Sequence, residues 1–427
     1  MRDIKELRSM IDRADEMLGV SFEQRMSAVR EVAEYKIKNG ISILDKAREE
    51  EVIEKNCARL SDLSLRPYYL DFLKSTMRIS RSIQSDIMKK SLPECAHLDV
   101  TVKDTAYPID IGSGIIAKAN EYFDLGRKVL VITDSGVPRE YSEAIAHLCR
   151  DARIFTFPEG ESSKSIATLE AILNEMSDFG MQRCDAAVAV GGGVTGDITA
   201  LASSLYMRGI DFYSVPTTIL AAVDSSIGGK CALNLRGIKN VIGTFYHPRA
   251  VLIDTDTFKT LDERQTASGI AEVVKMAATS DAELFSLLEG GLAKDDIKKL
   301  VYRALIIKKR VVEEDEKESG PRRILNFGHT IGHGIEALGG KMHGECVALG
   351  MIPMSGAGAR DRIVRLLSSL GLPTEADYDI DEAINFIKHD KKGEGKDTYA
   401  IFVDTIGDAR IEKVSQEFLT AHIKANV

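Results

Sequence analysis

The chain has 427 residues, which is too long for one ordinary hydrophobic core, so we expect two or three domains. A hydrophobic share of 44% with 28% charged residues is typical of a soluble globular protein. No run of about 18 uncharged apolar residues occurs, and the N-terminal segment MRDIKELR is charged. We therefore predict neither a membrane span nor a signal peptide, and we expect a cytoplasmic location.

Charge is distributed unevenly along the chain. Residues 1–90 carry 18 Lys and Arg against 16 Asp and Glu, whereas the remaining 337 residues carry 38 against 49. Because no basic stripe is present, we do not expect nucleic-acid binding, and an acidic protein that handles small anionic substrates must gather its cations in pockets. The six cysteines include no CxxC pair, which predicts reduced thiols and favours His and carboxylate ligands for any metal.

Residues 1–90 show helical periodicity and no strand pattern. Apolar residues recur at spacings of three and four through residues 3–39, with Gly19 as the weak place. A second helix is predicted to begin with Asp45 as its N-cap, and a third ends near Lys90. The first helix is too long to bury its apolar face within one small chain, so we expect an intertwined homodimer.

The helical pattern breaks at Pro93, and strand-like segments then alternate with helical ones. These segments are LDVTVKD, YPIDIGSG, KVLVITD, ARIFTFP, AAVAVGGG and DFYSVPTT. Such a βαβ rhythm predicts a mostly parallel sheet covered by helices. From about Thr257 onward, helical patterns dominate again.

Residues 184–230 combine an apolar strand, a glycine turn and a helix. Gly191, Gly192 and Gly193 follow the apolar run AAVAV. Glycines in this position let backbone N–H groups at a helix N-terminus approach a phosphate. The segment therefore predicts a site for a phosphorylated or dinucleotide-like ligand, although glycines after a strand also form plain tight turns.

Three potential metal ligands stand out in the C-terminal part: Glu272, His329 and His343. Two imidazoles and one carboxylate leave an open coordination position, which is typical of a catalytic zinc site. His329 and His333 are four residues apart on one helix face, so spacing alone does not decide which of the two binds a metal.

The motifs GGGVTGD, MRGIDFYSVPTT, DSSIGGK, IKN, SGIAEVVK, LNFGHTIGH, HGE and HDKK occur in order over roughly residues 98–427. This set resembles the 3-dehydroquinate synthase family. The resemblance implies an α/β NAD-binding domain at 98–256 and a helical metal- and substrate-binding domain at 257–427, with the active site in the cleft between these two domains. It also implies conversion of 3-deoxy-D-arabino-heptulosonate 7-phosphate to 3-dehydroquinate and phosphate, with NAD and Zn²⁺ or Co²⁺ as cofactors.

The same resemblance assigns roles to residues of this chain. The implied metal ligands are Glu272, His329 and His343. The implied NAD contacts are Asp134, Glu161, Lys164, Gly191, Gly192, Gly193, Asp197, Thr217 and Thr218, with Lys239 near the nicotinamide. The implied catalytic groups are Lys230, Lys239, Lys275, Arg322, Asn326 and the substrate-facing His333. The implied substrate-binding groups are Asp224, Asn240, Lys308, Arg208 reaching the phosphate across a dimer, and either Lys391 or Lys392.

Residues 1–90 contain the segments LRSMIDRAD, EQRM, YKIKNG, DKARE and SRSIQ, which resemble the all-helical chorismate mutase family in order and spacing. The resemblance implies the rearrangement of chorismate to prephenate, a reaction that needs no cofactor, and places Lys36 and Gln84 at the ether oxygen. The implied substrate-binding residues are Arg25, Asp45, Arg48, Glu49, Ser80 and, from a partner subunit, Arg8. A linker at 91–97 is expected to join the two parts.

These features predict a bifunctional shikimate-pathway enzyme that is a homodimer through both modules. Two other hypotheses remain open. The helical part could bind chorismate or prephenate and regulate the synthase without turnover. Alternatively, the larger part could be a related sugar-phosphate cyclase or a metal-dependent alcohol dehydrogenase.

Overall fold

The computed structural model describes residues 3–38, 41, 43–91, 93–103, 105–236, 238–291, 297–390 and 397–427. The chain divides into two compact units, Met1–Pro93 (unit 1) and Glu94–Val427 (unit 2). The boundary predicted inside unit 2, between residues 256 and 257, stays a prediction. All six cysteines are free, and the expectation of reduced thiols stays a prediction. A search of the described helices finds none with the length and apolar character needed to cross a membrane.

Unit 1 consists of three α-helices, as its periodicity predicts. They are α1 (Ile4–Lys38), α2 (Lys46–Cys57) and α3 (Arg66–Ser91). The Asp45 side chain caps α2 by accepting a hydrogen bond from the backbone N–H of Arg48 at 3.0 Å. Helix α1 continues through Gly19, so the glycine lowers helix propensity without ending the helix.

Helix α1 buries little of its apolar face within unit 1. Met26 and Ala33 are buried, whereas Ile4, Ile11 and Met17 are 57%, 59% and 66% exposed. A helix of 35 residues is about 52 Å long, so one small chain offers few partners along its length. The exposed apolar face of α1 is consistent with the predicted homodimer, in which a second copy would cover it.

Unit 2 is built on a seven-stranded sheet in the order β1-β2-β9-β6-β5-β3-β4. Its strands are β1 (Ala96–Val102), β2 (Thr105–Gly112), β3 (Lys128–Asp134), β4 (Asp151–Phe157), β5 (Ala186–Gly191), β6 (Asp211–Pro216) and β9 (Ala250–Asp254). Only the β1–β2 pair of this sheet is antiparallel. Strand β1 begins at Ala96, within the range predicted as linker, because the alternation of buried and exposed residues already starts there.

Both faces of the sheet are covered, as expected for parallel strands. In β3, Val129 and Val131 join one apolar core, whereas Leu130 and Ile132 join the other. This alternation follows the two-residue period of a strand. Helices α4 (Arg139–Leu148), α5 (Ile166–Asp178) and α6 (Gly193–Leu205) complete this part.

Helices dominate the rest of unit 2, with two small hairpins. The helices are α7 (Glu263–Ser280), α8 (Ala282–Glu289), α9 (Ile297–Glu314), α10 (His329–Leu338), α11 (His343–Met351), α12 (Ala357–Ser369), α13 (Ile380–Asp390) and α14 (Gln416–Asn426). The hairpins are β7 (Lys230–Leu235) with β8 (Ile238–Phe245), and β10 (Asp397–Thr405) with β11 (Asp408–Ser415). The second hairpin is an addition to the predicted all-helical C-terminal part. It forms because Gly407, at φ +85°, provides the turn between two β-prone runs.

Candidate active sites

Glu272, His329 and His343 converge in unit 2. One ligand atom from each residue lies within 4.8 Å of the others. The Oε1 atom of Glu272 is 3.4 Å from Nε2 of His343 and 3.7 Å from Nε2 of His329. His333 lies next to this cluster, with its ring 5.3 Å from that of His329 and 6.4 Å from that of His343.

Glycines allow the three helices that carry these groups to approach closely. A Cβ atom at Gly344 of α11 would lie 2.0 Å from the carbonyl oxygen of Ser268 in α7. A Cβ atom at Gly350 would lie 1.9 Å from the carbonyl oxygen of Gly328, directly before α10. Larger residues would therefore push α11 away from both helices. The glycines of the HGE and LNFGH motifs thus help to assemble the cluster.

The donor set fits a divalent metal of the zinc or cobalt type. Glu272 is completely buried, and the groups beside its carboxylate oxygens are Lys275, His329 and His343. Burial raises the pKa of Glu272, but the charge of Lys275, a hydrogen bond with His343 and the charge of His329 outweigh it and bring the pKa to about 2. A buried carboxylate that stays ionised beside two imidazoles is a suitable ligand set for such a metal.

The second ring nitrogens of the two histidines are already engaged. Nδ1 of His343 lies 3.4 Å from Oε2 of Glu336, and Nδ1 of His329 lies 3.3 Å from the carbonyl oxygen of Phe327. Such contacts fix the ring orientation and leave Nε2 as the ligand atom. The Nζ atom of Lys239 lies 3.0 Å from Oε1 of Glu336. The Glu336 carboxylate therefore contacts both His343 and Lys239, the residue predicted to lie near the nicotinamide. Glu336 was not predicted from the sequence, although it lies three residues after His333 on the same helix.

Four predicted cations surround the cluster. The Nζ atom of Lys308 lies 2.6 Å from Oδ1 of Asp224, and Lys275 forms an ion pair with Glu272. Burial lowers the pKa of Lys308. Burial and the charges of Arg322 and Lys308 also lower the pKa of Lys230 to about 8. Positive charges held this close together form a suitable site for a substrate with several negative charges.

A tight loop between α9 and α10 holds Arg322 in this site. The buried Asp315 carboxylate accepts hydrogen bonds from the backbone N–H groups of Ser319, Gly320 and Arg322 at 2.9, 2.6 and 3.2 Å. Glu318, at φ +59°, extends from this loop to contact Lys230 and the Asn326 side chain. Spacing in the sequence gave no signal for Glu318, because the loop wraps around Asp315.

The predicted nucleotide-binding residues lie at the carboxyl ends of neighbouring parallel strands. Gly191 ends β5 and Gly192 precedes α6 without a side-chain cap, which leaves the first N–H groups of that helix open to an anion. Asp134 ends β3, and its Oδ2 accepts a hydrogen bond from Thr195 at 2.7 Å. The backbone N–H of Thr217, directly after β6, donates to the carbonyl of Gly191 at 3.0 Å, and Thr218 follows.

The remaining predicted residues of unit 2 fall into four groups. The Nζ atom of Lys164 lies 2.6 Å from both Asp197 and Asn240. Lys164 and Asp197 are predicted to contact NAD and Asn240 the substrate, so this lysine connects the two predicted sets. Glu161 accepts a hydrogen bond from Asn234 at 2.7 Å. Arg208 is exposed and has a left-handed backbone, φ +67°. Lys391 and Lys392 lie outside the described residues.

Unit 1 contains a pocket of about 210 Å³. Seven of its predicted site residues line this pocket: Arg25, Lys36, Asp45, Arg48, Glu49, Ser80 and Gln84. Arg25 bonds to the Ser80 hydroxyl, Lys36 donates to the carbonyl of Ile43 at 2.6 Å, and Gln84 Oε1 is buried without a partner among the described residues. Arg8 is exposed and does not line the pocket. Arg81 lines it as well, and the sequence analysis gave this residue no role.

Known proteins match both units. A 3-dehydroquinate synthase of Lactococcus lactis subsp. cremoris (strain MG1363) is 38% identical over 355 residues, which cover 77% of this chain and 99% of the relative. A 3-dehydroquinate synthase of Dictyoglomus turgidum is 41% identical over 339 residues, covering 75% of this chain and 95% of that protein. The chain belongs to the 3-dehydroquinate synthase family. Family models of the N-terminal and C-terminal parts of the synthase match residues 154–268 and 269–393.

Residues 7–85 match the family model of chorismate mutase type II. Unit 1 is therefore a chorismate mutase unit and unit 2 a 3-dehydroquinate synthase unit, and together they support a bifunctional shikimate-pathway enzyme. We call them the mutase unit and the synthase unit from here on.

Solved structures agree with the fold of the synthase unit. A 2-deoxy-scyllo-inosose synthase complexed with carbaglucose-6-phosphate, NAD⁺ and Co²⁺ has a TM-score of 0.70 at 26% identity, covering 78% of this chain and all of that one. The 2-epi-5-epi-valiolone synthase of Streptomyces hygroscopicus subsp. jinggangensis 5008, with NAD⁺ and Zn²⁺ bound, has a TM-score of 0.69 at 26% identity and covers 76% and 98%. A probable glycerol dehydrogenase of Sinorhizobium meliloti 1021, at 17% identity and a TM-score of 0.56 over 74% and 94% of the two chains, shares the fold alone.

Proposed function

We propose that the synthase unit converts 3-deoxy-D-arabino-heptulosonate 7-phosphate to 3-dehydroquinate and phosphate, using NAD and Zn²⁺ or Co²⁺, and that the mutase unit converts chorismate to prephenate. The observation that carries the first activity is the meeting of Glu272, His329 and His343 beside a group of buried cations. The observation that carries the mutase activity is that seven predicted residues line one pocket. The NAD⁺ and metal ions bound in related cyclases support the cofactors.

In the synthase unit, the protein mainly binds and orients a charged substrate. NAD when bound would supply the transient oxidation of a ring hydroxyl, and Glu272, His329 and His343 would hold a metal ion that would polarise the substrate's hydroxyl oxygens. Lys230 and Arg322 lie where they can bind the anionic ends of the substrate, and Lys308 is held in place by Asp224. Such fixed positive groups stabilise charge that develops on the substrate without needing to reorganise.

In the mutase unit, the bonds break and form within the substrate, so the pocket needs no nucleophile. Arg25 and Arg48 would bind the two carboxylates, and Lys36 with Gln84 would face the ether oxygen, where negative charge develops. Val29, Val52 and Met77 add apolar surface to the same pocket. Confinement and charge together then favour the reactive conformer.

We infer a cytoplasmic homodimer with contacts through both units, which acts on small anionic molecules and binds neither nucleic acid nor membranes. The exposed apolar face of α1 and the position of Arg8 outside its own pocket support this proposal. Light scattering of the purified chain measures the mass directly. A monomer that retains full chorismate turnover would contradict it.

One pair of assays tests both activities. Phosphate release from the heptulosonate phosphate, with catalytic NAD and with or without a chelator, measures the synthase, and loss of chorismate's ultraviolet absorbance measures the mutase. We expect phosphate release that the chelator abolishes, without net NADH. Stoichiometric NADH would indicate an alcohol dehydrogenase, and chorismate binding without turnover would indicate a regulatory module.

A further inference from the structure

Arg81 joins two of the helices that line the mutase pocket. It lies on α3, and its Nη1 atom is 2.5 Å from Oε1 of Glu49 on α2. The two side chains are 25% and 29% exposed, so this ion pair is shielded from water on most of its surface. A shielded charge-assisted hydrogen bond of this kind holds its partners more firmly than a surface ion pair does.

The contact is part of a regular arrangement and not an isolated surface feature. On α3 the pocket is lined by Met77, Ser80, Arg81 and Gln84, which follow the i, i+3, i+4, i+7 spacing of one helix face. On α2 and its cap, Asp45, Arg48, Glu49 and Val52 follow the same spacing. The Arg81–Glu49 bond therefore connects two helix faces that both point into the pocket.

We propose that Arg81 is a positioning residue for the mutase reaction, an inference that rests on the proposed function of this unit. Its bond to Oε1 fixes the Glu49 carboxylate so that Oε2 is directed to the ring hydroxyl of chorismate. The bond engages Oε1, and Oε2 is the second oxygen of the same carboxylate. Because Arg81 acts through Glu49, its loss lowers the population of the reactive conformer more than it weakens substrate binding.

The test compares chorismate turnover in the full chain with R81M, R81K and, as the control, R78M. Arg78 lies on the same helix but is exposed and outside the pocket. We expect R81M to lower kcat about tenfold with KM changed less than about twofold, R81K to recover part of the loss, and R78M to match the wild type. Thermal unfolding followed by circular dichroism shows whether each variant retains the helical fold.

A double-mutant cycle with E49Q separates the proposed role from a general effect of charge. In the E49Q background we expect R81M to lower kcat by less than about twofold, since the partner that Arg81 positions is already lost. Equal losses in both backgrounds, or a rise in KM with unchanged kcat, would overturn the inference while leaving the mutase function intact. A wild-type chain that leaves chorismate unchanged would overturn both.

Discussion

The two units contain ion pairs with the same spacing in very different surroundings. In the mutase unit, Arg48 and Glu51 pair at i, i+3 with side chains 59% and 58% exposed. In the synthase unit, Glu272 and Lys275 pair at i, i+3 with side chains 0% and 1% exposed. Water screens the charges of the first pair. The charges of the second pair are out of contact with water, so each is stabilised only by the charged and polar groups around it. The comparison shows that burial, and not spacing, decides how strongly the two charges of a helical ion pair depend on each other.

The largest effect is expected from breaking the buried pair. E272Q replaces the ionised carboxylate of a predicted metal ligand with a neutral amide and leaves the Lys275 charge without its counter-ion. We expect phosphate release to fall at least about 100-fold and bound zinc or cobalt to fall below one ion per chain. Elemental analysis of the purified variant measures the metal, and a phosphate assay measures the turnover.

Two further variants make this result specific. E263Q changes an exposed glutamate in the first turn of the same helix and is expected to behave like the wild type. E272D keeps the carboxylate and is expected to retain part of the metal. Chorismate turnover should not change in any of the three. An E272Q variant with full metal content and full phosphate release would show that this carboxylate is not a ligand.

The corresponding change in the mutase unit is K36A, which removes a half-buried cation from the pocket wall. We expect chorismate turnover to fall about 100-fold, because the charge that develops on the ether oxygen loses its counter-charge. K36R keeps the charge and is expected to recover part of the activity. K5A, at an exposed position of the same helix, is the control. An unchanged kcat in K36A would show that Lys36 does not take part in the mutase reaction. Phosphate release by the synthase unit is expected to stay the same in all three variants.

Periodicity was enough to predict the three helices of the mutase unit and the parallel sheet of the synthase unit. It could not decide between His329 and His333, because both lie on one face of α10. That choice depends on how α11 packs against α7 and α10 through Gly344 and Gly350, a tertiary contact that the local pattern does not contain. The structure places His329 in the potential ligand set together with Glu272 and His343.

Two other residues were missed for related reasons. Glu318 reaches Lys230 only because its loop is folded around a buried carboxylate, Asp315. Arg81 lies inside the quoted SRSIQ motif, three residues before Gln84, so helical spacing could have placed it on the pocket face. Its partner Glu49 is on another helix, however, and that contact could not be read from either segment alone.

A smaller effect is expected from pH, through Lys230. Because burial and nearby cations lower the pKa of its amino group to about 8, the group is charged below that pH and loses its charge as the pH rises through it. We therefore expect kcat/KM for phosphate release to decline above about pH 8. K230R keeps its charge and should move this decline to higher pH, even if its overall activity is lower. If the kcat/KM of K230R declines over the same pH range as that of the wild type, the decline belongs to a different group.

The smallest effect is expected from E51Q, which breaks the exposed counterpart of the buried pair. Water solvates Arg48 and Glu51 nearly as well apart as together, so the helix gains little from their contact. We expect an unchanged Tm and a change of less than about twofold in kcat/KM for chorismate, since Arg48 stays free to turn toward the pocket. A tenfold loss of turnover in E51Q would show that Glu51 holds Arg48 in its working position. In that case, an ion pair would not need burial to organise a site, and the distinction drawn between the two units would fail.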